Sequence, residues 1–318
     1  MPSPRPRRRR AAVAVLIAAA VVTGCLPGRS SDGAPAGTSQ PSPSDTTSAT
    51  NGEPAVSPSA TAAAGHTPGG PPPTAEEAIA ADPPISTRPS WLGTRVLPLR
   101  ADGFGQVQPT PPELRDRRLP PPVGVPRAGT DRFVATVSDV PEEVVARSTW
   151  SRRCPVAVSD LRYVTLSFWG FDGRAYRGEL LLHASAADPV VTVFERLFEA
   201  GFPIEEMRVV SPEEVDALPT GDGNNTTAFV CRSVRGATSW SEHAYGLAVD
   251  INPFHNPYVK GDLVLPELAS AYTDRGWERP GMILAGDVVT EAFAEIGWGW
   301  GGDWRGSVDW MHSSRSGR

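Results

Sequence analysis

In Ser241-Glu242-His243-Ala244-Tyr245-Gly246-Leu247-Ala248-Val249-Asp250-Ile251, the apolar residues Leu247, Val249 and Ile251 alternate with Ala248 and Asp250. A period of two is the pattern of a half-buried strand. It predicts that the branched residues face a core while Gly246, Ala248 and Asp250 share the other face, an open floor for an ion and a substrate backbone. His243 falls just ahead of the strand and reaches the same ion if Tyr245-Gly246 makes the turn. Towards the C-terminus, Asp309-Trp310-Met311-His312 adds a second carboxylate and a second imidazole. Neutral imidazole and carboxylate are ordinary Zn2+ donors, and three protein ligands leave a fourth position for water. His243, Asp250 and His312 are therefore the candidate ligands of one Zn2+. Asp309 is the candidate general base: three residues before a ligand, in a helical turn or tight bend, it points the same way as His312.

The pair His243-x6-Asp250 and Asp309-x2-His312 resembles the metallopeptidases that cut peptidoglycan stem peptides, the D-Ala-D-Ala carboxypeptidase and L-alanyl-D-glutamate peptidase family. Ser241-x-His243-x-x-Gly246-x-Ala248-x-Asp250 carries it most specifically, and it covers roughly residues 145–313. In the carboxypeptidase branch the position of Asp309 is usually Glu, so Asp here resembles the L-alanyl-D-glutamate branch. The resemblance implies a zinc-dependent peptidase acting on stem peptides, with Arg232 in the active site. There Arg232 would hold a substrate carbonyl or carboxylate and stabilise a developing oxyanion; the alternative is a surface arginine. Neither a His-Glu-x-x-His helix nor a Gly-x-Ser-x-Gly elbow occurs in the sequence. The competing reading is a non-catalytic peptidoglycan-binding lipoprotein, which would have no need of Asp309.

Composition sets the domain plan. Arg5 and Arg7 to Arg10 precede an apolar run over 11–22, too short to span a bilayer, and Val22-Thr23-Gly24-Cys25 closes it. Residues 1–24 read as a lipoprotein signal peptide, leaving a lipidated Cys25 that anchors the chain to the outer face of the cell membrane. A plain secretory peptide is the alternative, and both place the chain outside the cytoplasm. Residues 25–87 are Ser, Thr, Ala, Pro and Gly with no aromatic, a disordered tether. Most of the 34 prolines lie before residue 130, and residues 88–132 read as an extended Pro-rich arm lying on the domain. Residues 133–318 form the zinc-peptidase domain, about 180 residues, ample for one core. A net charge of −6 gives no encouragement to nucleic-acid binding, and a monomer is expected. Cys154 and Cys231 either pair in a disulfide, as an oxidising compartment favours, or remain two buried thiols.

Within the domain, 140–145 predicts a short helix with Pro in its first turn. Alternation over 161–168 and again over 178–183, with Phe171-Asp172-Gly173-Arg174 between, predicts a hairpin. Asp188 as cap, Pro189 in the first position and Gly201 as stop predict a helix lined by Val190, Phe194, Leu197 and Phe198. Strands over 204–210 and 226–232, a polar loop over 252–262 and a helix over 286–296 follow. These make an α+β domain, a mainly antiparallel sheet flanked by helices. The Gly- and Trp-rich run 297–304 predicts tight turns, its indoles, Trp298 and Trp300 among them, either walling a groove near Ser241 and Tyr245 or filling the core. Of the other histidines, His66 lies in the tether, His183 ends a strand and His255 is expected in solvent.

Overall fold

A computed structural model of the chain describes residues 85–235 and 237–318. The expected signal segment, Cys25, His66 and the tether up to residue 84 lie outside the described residues. In chain order the elements are β1 (Ala135–Ser138), α1 (Glu142–Arg147), β2 (Leu161–Trp169), β3 (Ala175–His183) and α2 (Ala184–Glu199). Next come β4 (Glu206–Met207), α3 (Pro212–Val215), β5 (Asn225–Thr226), β6 (Ala248–Asp250), β7 (Tyr258–Lys260) and β8 (Leu263–Leu265). The last are α4 (Val288–Glu295), β9 (Gly299–Trp300), β10 (Val308–Asp309) and β11 (His312–Ser314). The strands form the antiparallel sets β1-β2-β3, β6-β11-β9 and β10-β7-β8, and one short parallel pair, β4-β5. The domain is α+β with mainly antiparallel pairing, as expected. Among the described residues no helix is long and apolar enough to cross a membrane.

The β2–β3 hairpin is the frame. Its register runs from Leu161 opposite His183 to Trp169 opposite Ala175, and the predicted turn closes it with Gly173 at φ 67°. Val164, Leu166 and Phe168 point with Leu180 and Leu182 into a core shared with α2, α4, Val249 and Ile251. Helix α2 starts earlier than expected: the His183 side chain, not Asp188, accepts the N–H of Ser185 at 3.2 Å, and Pro189 lies inside the helix. Starting at Ala184 buries Ala186 and Ala187 beneath the sheet, which outweighs the single main-chain bond Pro189 cannot donate. The C-terminal reading holds. Gly201 at φ 68° lets its own N–H reach the Phe198 carbonyl and that of Phe202 reach Leu197, a Schellman closure.

Three expected elements are shorter or different. The strand over 204–210 reduces to β4, because the Glu205 and Arg208 N–H groups are taken by the side chains of Asn252 and Asn225. The strand over 226–232 reduces to the end of β5, and the Cys231 N–H goes to Thr149 Oγ1. The polar loop over 252–262 contains β7, the middle strand of its sheet.

The arm has little regular structure, yet it is more than a strap. Leu97, Leu114 and Leu119 are buried in a second core with Phe254, Leu268 and Tyr272. Beneath it Arg117 and Glu205, each 2% exposed, meet in a two-pronged ion pair at 2.7 and 2.8 Å. Asn224 donates to the same carboxylate at 2.7 Å, and Arg117 also donates to the Asp222 carbonyl at 2.8 Å. Burial would raise the Glu205 carboxyl, but Arg117 holds it below its usual range. His255, expected in solvent, is fully buried here, with Asn224 at Nδ1 and the Arg117 carbonyl at Nε2, 2.8 Å away. Burial pushes its imidazole down to about 3, so it stays neutral.

Candidate metal centre

Cys154 and Cys231 form a disulfide that ties the segment after α1 to the chain entering the site. From there Ser241 opens a single 3-10 turn, Glu242–Tyr245, its Oγ accepting the His243 N–H at 3.4 Å. Gly246 ends the turn at φ 68°, where a Cβ would lie 2.6 Å from the His183 nitrogen; only glycine fits against β3. The chain then enters β6. Strand β11 runs antiparallel beside it with His312 directly opposite Asp250, so the two sequence motifs meet as cross-strand neighbours.

The open floor is a correction. Ala248 is fully buried and Gly246 packs on β3, so neither lines an exposed surface. Strand β6 is covered on both faces, and Asp250 alone of that set turns toward the two imidazoles.

The donor set is specific. His243 Nδ1 lies 2.5 Å from the Ala228 carbonyl, which can only accept, so Nδ1 carries the proton and Nε2 the lone pair. His312 Nε2 lies 3.2 Å from the Arg318 main-chain oxygen and Nδ1 3.0 Å from Asp250 Oδ1; with the proton on Nε2, Nδ1 is free to ligate. His243 Nε2 and His312 Nδ1 are 3.2 Å apart, and Asp250 Oδ1 lies 3.2 and 3.0 Å from them. With both outer nitrogens protonated, three acceptors converge, an arrangement that a cation stabilises. A tetrahedral zinc with bonds of about 2.0–2.1 Å separates its ligand atoms by about 3.3 Å, so the set fits after a shift of a few tenths of an ångström.

Asp309 ends β10, and Trp310-Met311 forms the tight bend into β11. A Cβ on Gly301 would come within 2.5 Å of the Asp309 carbonyl, so glycine is needed where the backbones cross. Asp309 Oδ1 is shut off from solvent and has no hydrogen-bond partner in the described chain. Burial, and then the negative charge of Asp250, push its carboxyl up to about 8, with His312 and Arg232 opposing. A cation between the carboxylates would offset both effects and restore the anion. Half-buried Arg232 makes one long side-chain bond, 3.4 Å to the Ser233 carbonyl, and no ion pair among the described residues. Burial lowers its guanidinium, while Asp250 and Asp309 favour its charge.

The groove residues divide. Ser241 supports the turn, and Tyr245 is half-buried at its end. Trp298 is not a groove wall: it is 7% exposed and stacks on Phe293 in the core, where its large apolar surface is best hidden. Trp300 Nε1 donates to the Trp310 carbonyl at 2.8 Å and steadies the bend that carries His312. The sequence reading missed the Ala228 and Arg318 oxygens, which carry no side-chain signal. Trp304, the third indole of the run, has its ring 5.4 Å from that of His312.

Residues 235–315 match the family model described as D-alanyl-D-alanine carboxypeptidase. That span holds His243, Asp250, Asp309 and His312, and leaves Arg232 and the arm outside. The match supports a peptidase related to peptidoglycan. No curated protein and no solved structure gives a significant match.

Proposed function

We propose that the chain is a zinc-dependent peptidase that hydrolyses peptidoglycan stem peptides outside the cytoplasmic membrane, tethered through a lipidated Cys25. The observation that carries this reading is the convergence of His243 Nε2, His312 Nδ1 and Asp250 Oδ1 beside the partnerless Asp309 carboxylate. When bound, zinc supplies Lewis acidity at that point. Asp309 takes a proton from the attacking water at its carboxylate and delivers it to the leaving amine, general acid–base work that needs no other residue. Arg232, with its fork unpaired, orients a substrate carbonyl or carboxylate and stabilises the charge that develops on oxygen. The main-chain oxygens of Ala228 and Arg318 hold the two imidazoles in register. Aspartate rather than glutamate at 309 favours the L-Ala–D-Glu bond over the terminal D-Ala–D-Ala bond. The shorter side chain places the carboxylate deeper, beside Asp250.

Incubating purified sacculi with zinc-loaded protein and weighing the released fragments by mass spectrometry tests the reading. Fragments ending in a free D-Glu amine are expected. Loss of a terminal D-Ala instead would move the chain to the carboxypeptidase type. Tight binding to sacculi with no fragments would replace the enzyme by a wall-binding module.

A further inference from the structure

His243 and His312 are held at their outer nitrogens by main-chain oxygens of different kinds. Ala228 lies within the folded domain, between Thr227, which exchanges main-chain bonds with Asp250, and Val230, whose N–H reaches the His243 carbonyl. Arg318 lies beyond the family match, in a tail folded back onto β11. That tail is tightly strapped. Ser314 Oγ donates to the Arg318 oxygen at 2.9 Å and accepts the Arg318 N–H at 3.1 Å. The Gly317 N–H reaches the Ser314 carbonyl at 3.1 Å, and Trp304 Nε1 donates to the Gly317 carbonyl at 2.8 Å. Gly317 and Gly299 pack so closely that a Cβ on Gly299 would lie 2.7 Å from the Gly317 Cα. The Arg315 N–H is bonded to the Leu247 carbonyl at 3.0 Å, fixing the start of the tail beside β6.

We propose that the tail of residues 315–318 is a positioning strap for the metal centre: gripped by Ser314 and Trp304, it presents the Arg318 oxygen to His312 Nε2. An imidazole free to choose puts its proton on either nitrogen, and with the proton on Nδ1 it cannot ligate through Nδ1. Asp250 Oδ1, 3.0 Å from Nδ1, would accept a proton there; the strap at Nε2 counters it and limits ring rotation, with Trp304 tilted against the ring 5.4 Å away. Outer partners of ligand histidines are worth about 10–100-fold in metal affinity. The inference rests on the metal-centre reading, and it assigns work to residues that touch neither ion nor substrate.

The test compares wild type, a variant lacking residues 317–318, and Ser314→Ala. Two readouts are used: zinc affinity by chelator competition, and the His312 tautomer in the ion-free protein by 15N NMR of the imidazole nitrogens. Wild type should show the Nε2–H tautomer alone. The deletion should show a mixture, with zinc bound about 10–100-fold more weakly, and Ser314→Ala should fall between. A folded deletion variant with wild-type affinity and an unchanged tautomer overturns the strap. If the deletion does not fold, Ser314→Ala decides by the same two measurements. Wild type that binds no zinc would instead refute the functional reading, while the tautomer measurement would still judge the strap.

Discussion

Glu205 under the arm and Asp250 in β6 are both secluded carboxylates with histidine close by, but their surroundings differ in kind. Glu205 receives protons from Arg117, Asn224 and, at 3.2 Å, Arg88, while both nitrogens of His255 find partners. Donors and acceptors balance there, as buried polar groups require, and the cluster has nothing left to offer a ligand. Around Asp250 the balance fails. Two imidazole nitrogens and a carboxylate oxygen face one another, and a second carboxylate has a secluded oxygen with no partner among the described residues. A finished polar cluster holds structure together, whereas an unfinished one marks where chemistry enters.

The largest expected effect breaks the unfinished side. Asp309→Asn keeps size and most hydrogen bonding but cannot take a proton, so stem-peptide cleavage should fall by about 10² to 10⁴, roughly 3–5 kcal/mol of barrier. Zinc content should stay near wild type, because Asp309 is not a ligand. Undiminished release of fragments by a zinc-replete variant would remove Asp309 as the base. The matching cut on the finished side is Arg117→Leu, which leaves Glu205 with only Asn224 and the longer Arg88 contact and should cost about 3–5 kcal/mol of unfolding free energy in denaturant titrations. Zinc bound per folded molecule should not change; a proportional loss would mean that the two clusters are coupled. Arg232→Lys keeps the charge and loses the fork, so kcat/KM should drop by about tenfold, about 1.4 kcal/mol, shared between kcat and KM.

The smallest effect is a pH dependence of opposite sign at the two clusters. His255 is held down to about 3 from 6.5, so its share of stability is full above about 6.5 and is lost as pH falls below it. Asp309 in the ion-free protein is held up at about 8 from 3.8. Its share is full below about 4 and is lost as pH rises towards 8. Melting curves of the ion-free protein should therefore show a shallow optimum, whose alkaline limb flattens in Asp309→Asn and with saturating zinc. An alkaline limb untouched by either change would mean that Asp309 does not carry it.

Side-chain chemistry was legible wherever the signal was local. Two histidines and two aspartates at fixed spacings named the centre, alternation with a Gly-containing turn named the β2–β3 hairpin, and Gly201 named the end of α2. What stayed hidden depended on partners distant in sequence. His255 looked solvent-facing because its partners, Arg117 and Asn224, lie in segments that only the fold brings together. Asp188-Pro189 imitates a helix start, but the need to bury Ala186 and Ala187 carries the helix further back. Tryptophans in a glycine-rich run cannot be sorted by type alone: Trp298 went to the core, while Trp300 and Trp304 went to the bend and to His312. The arm's leucines follow no period, so nothing in the sequence marked them as a second core.

The central claim is that the unfinished cluster is a metal site, and zinc titration into the metal-stripped protein tests it most directly. One zinc per chain is expected in wild type, with binding weakening in acid as the imidazoles protonate. His243→Ala and His312→Ala should each abolish it while remaining folded. Stoichiometric zinc at wild-type affinity in either variant, or none in wild type, would contradict the account.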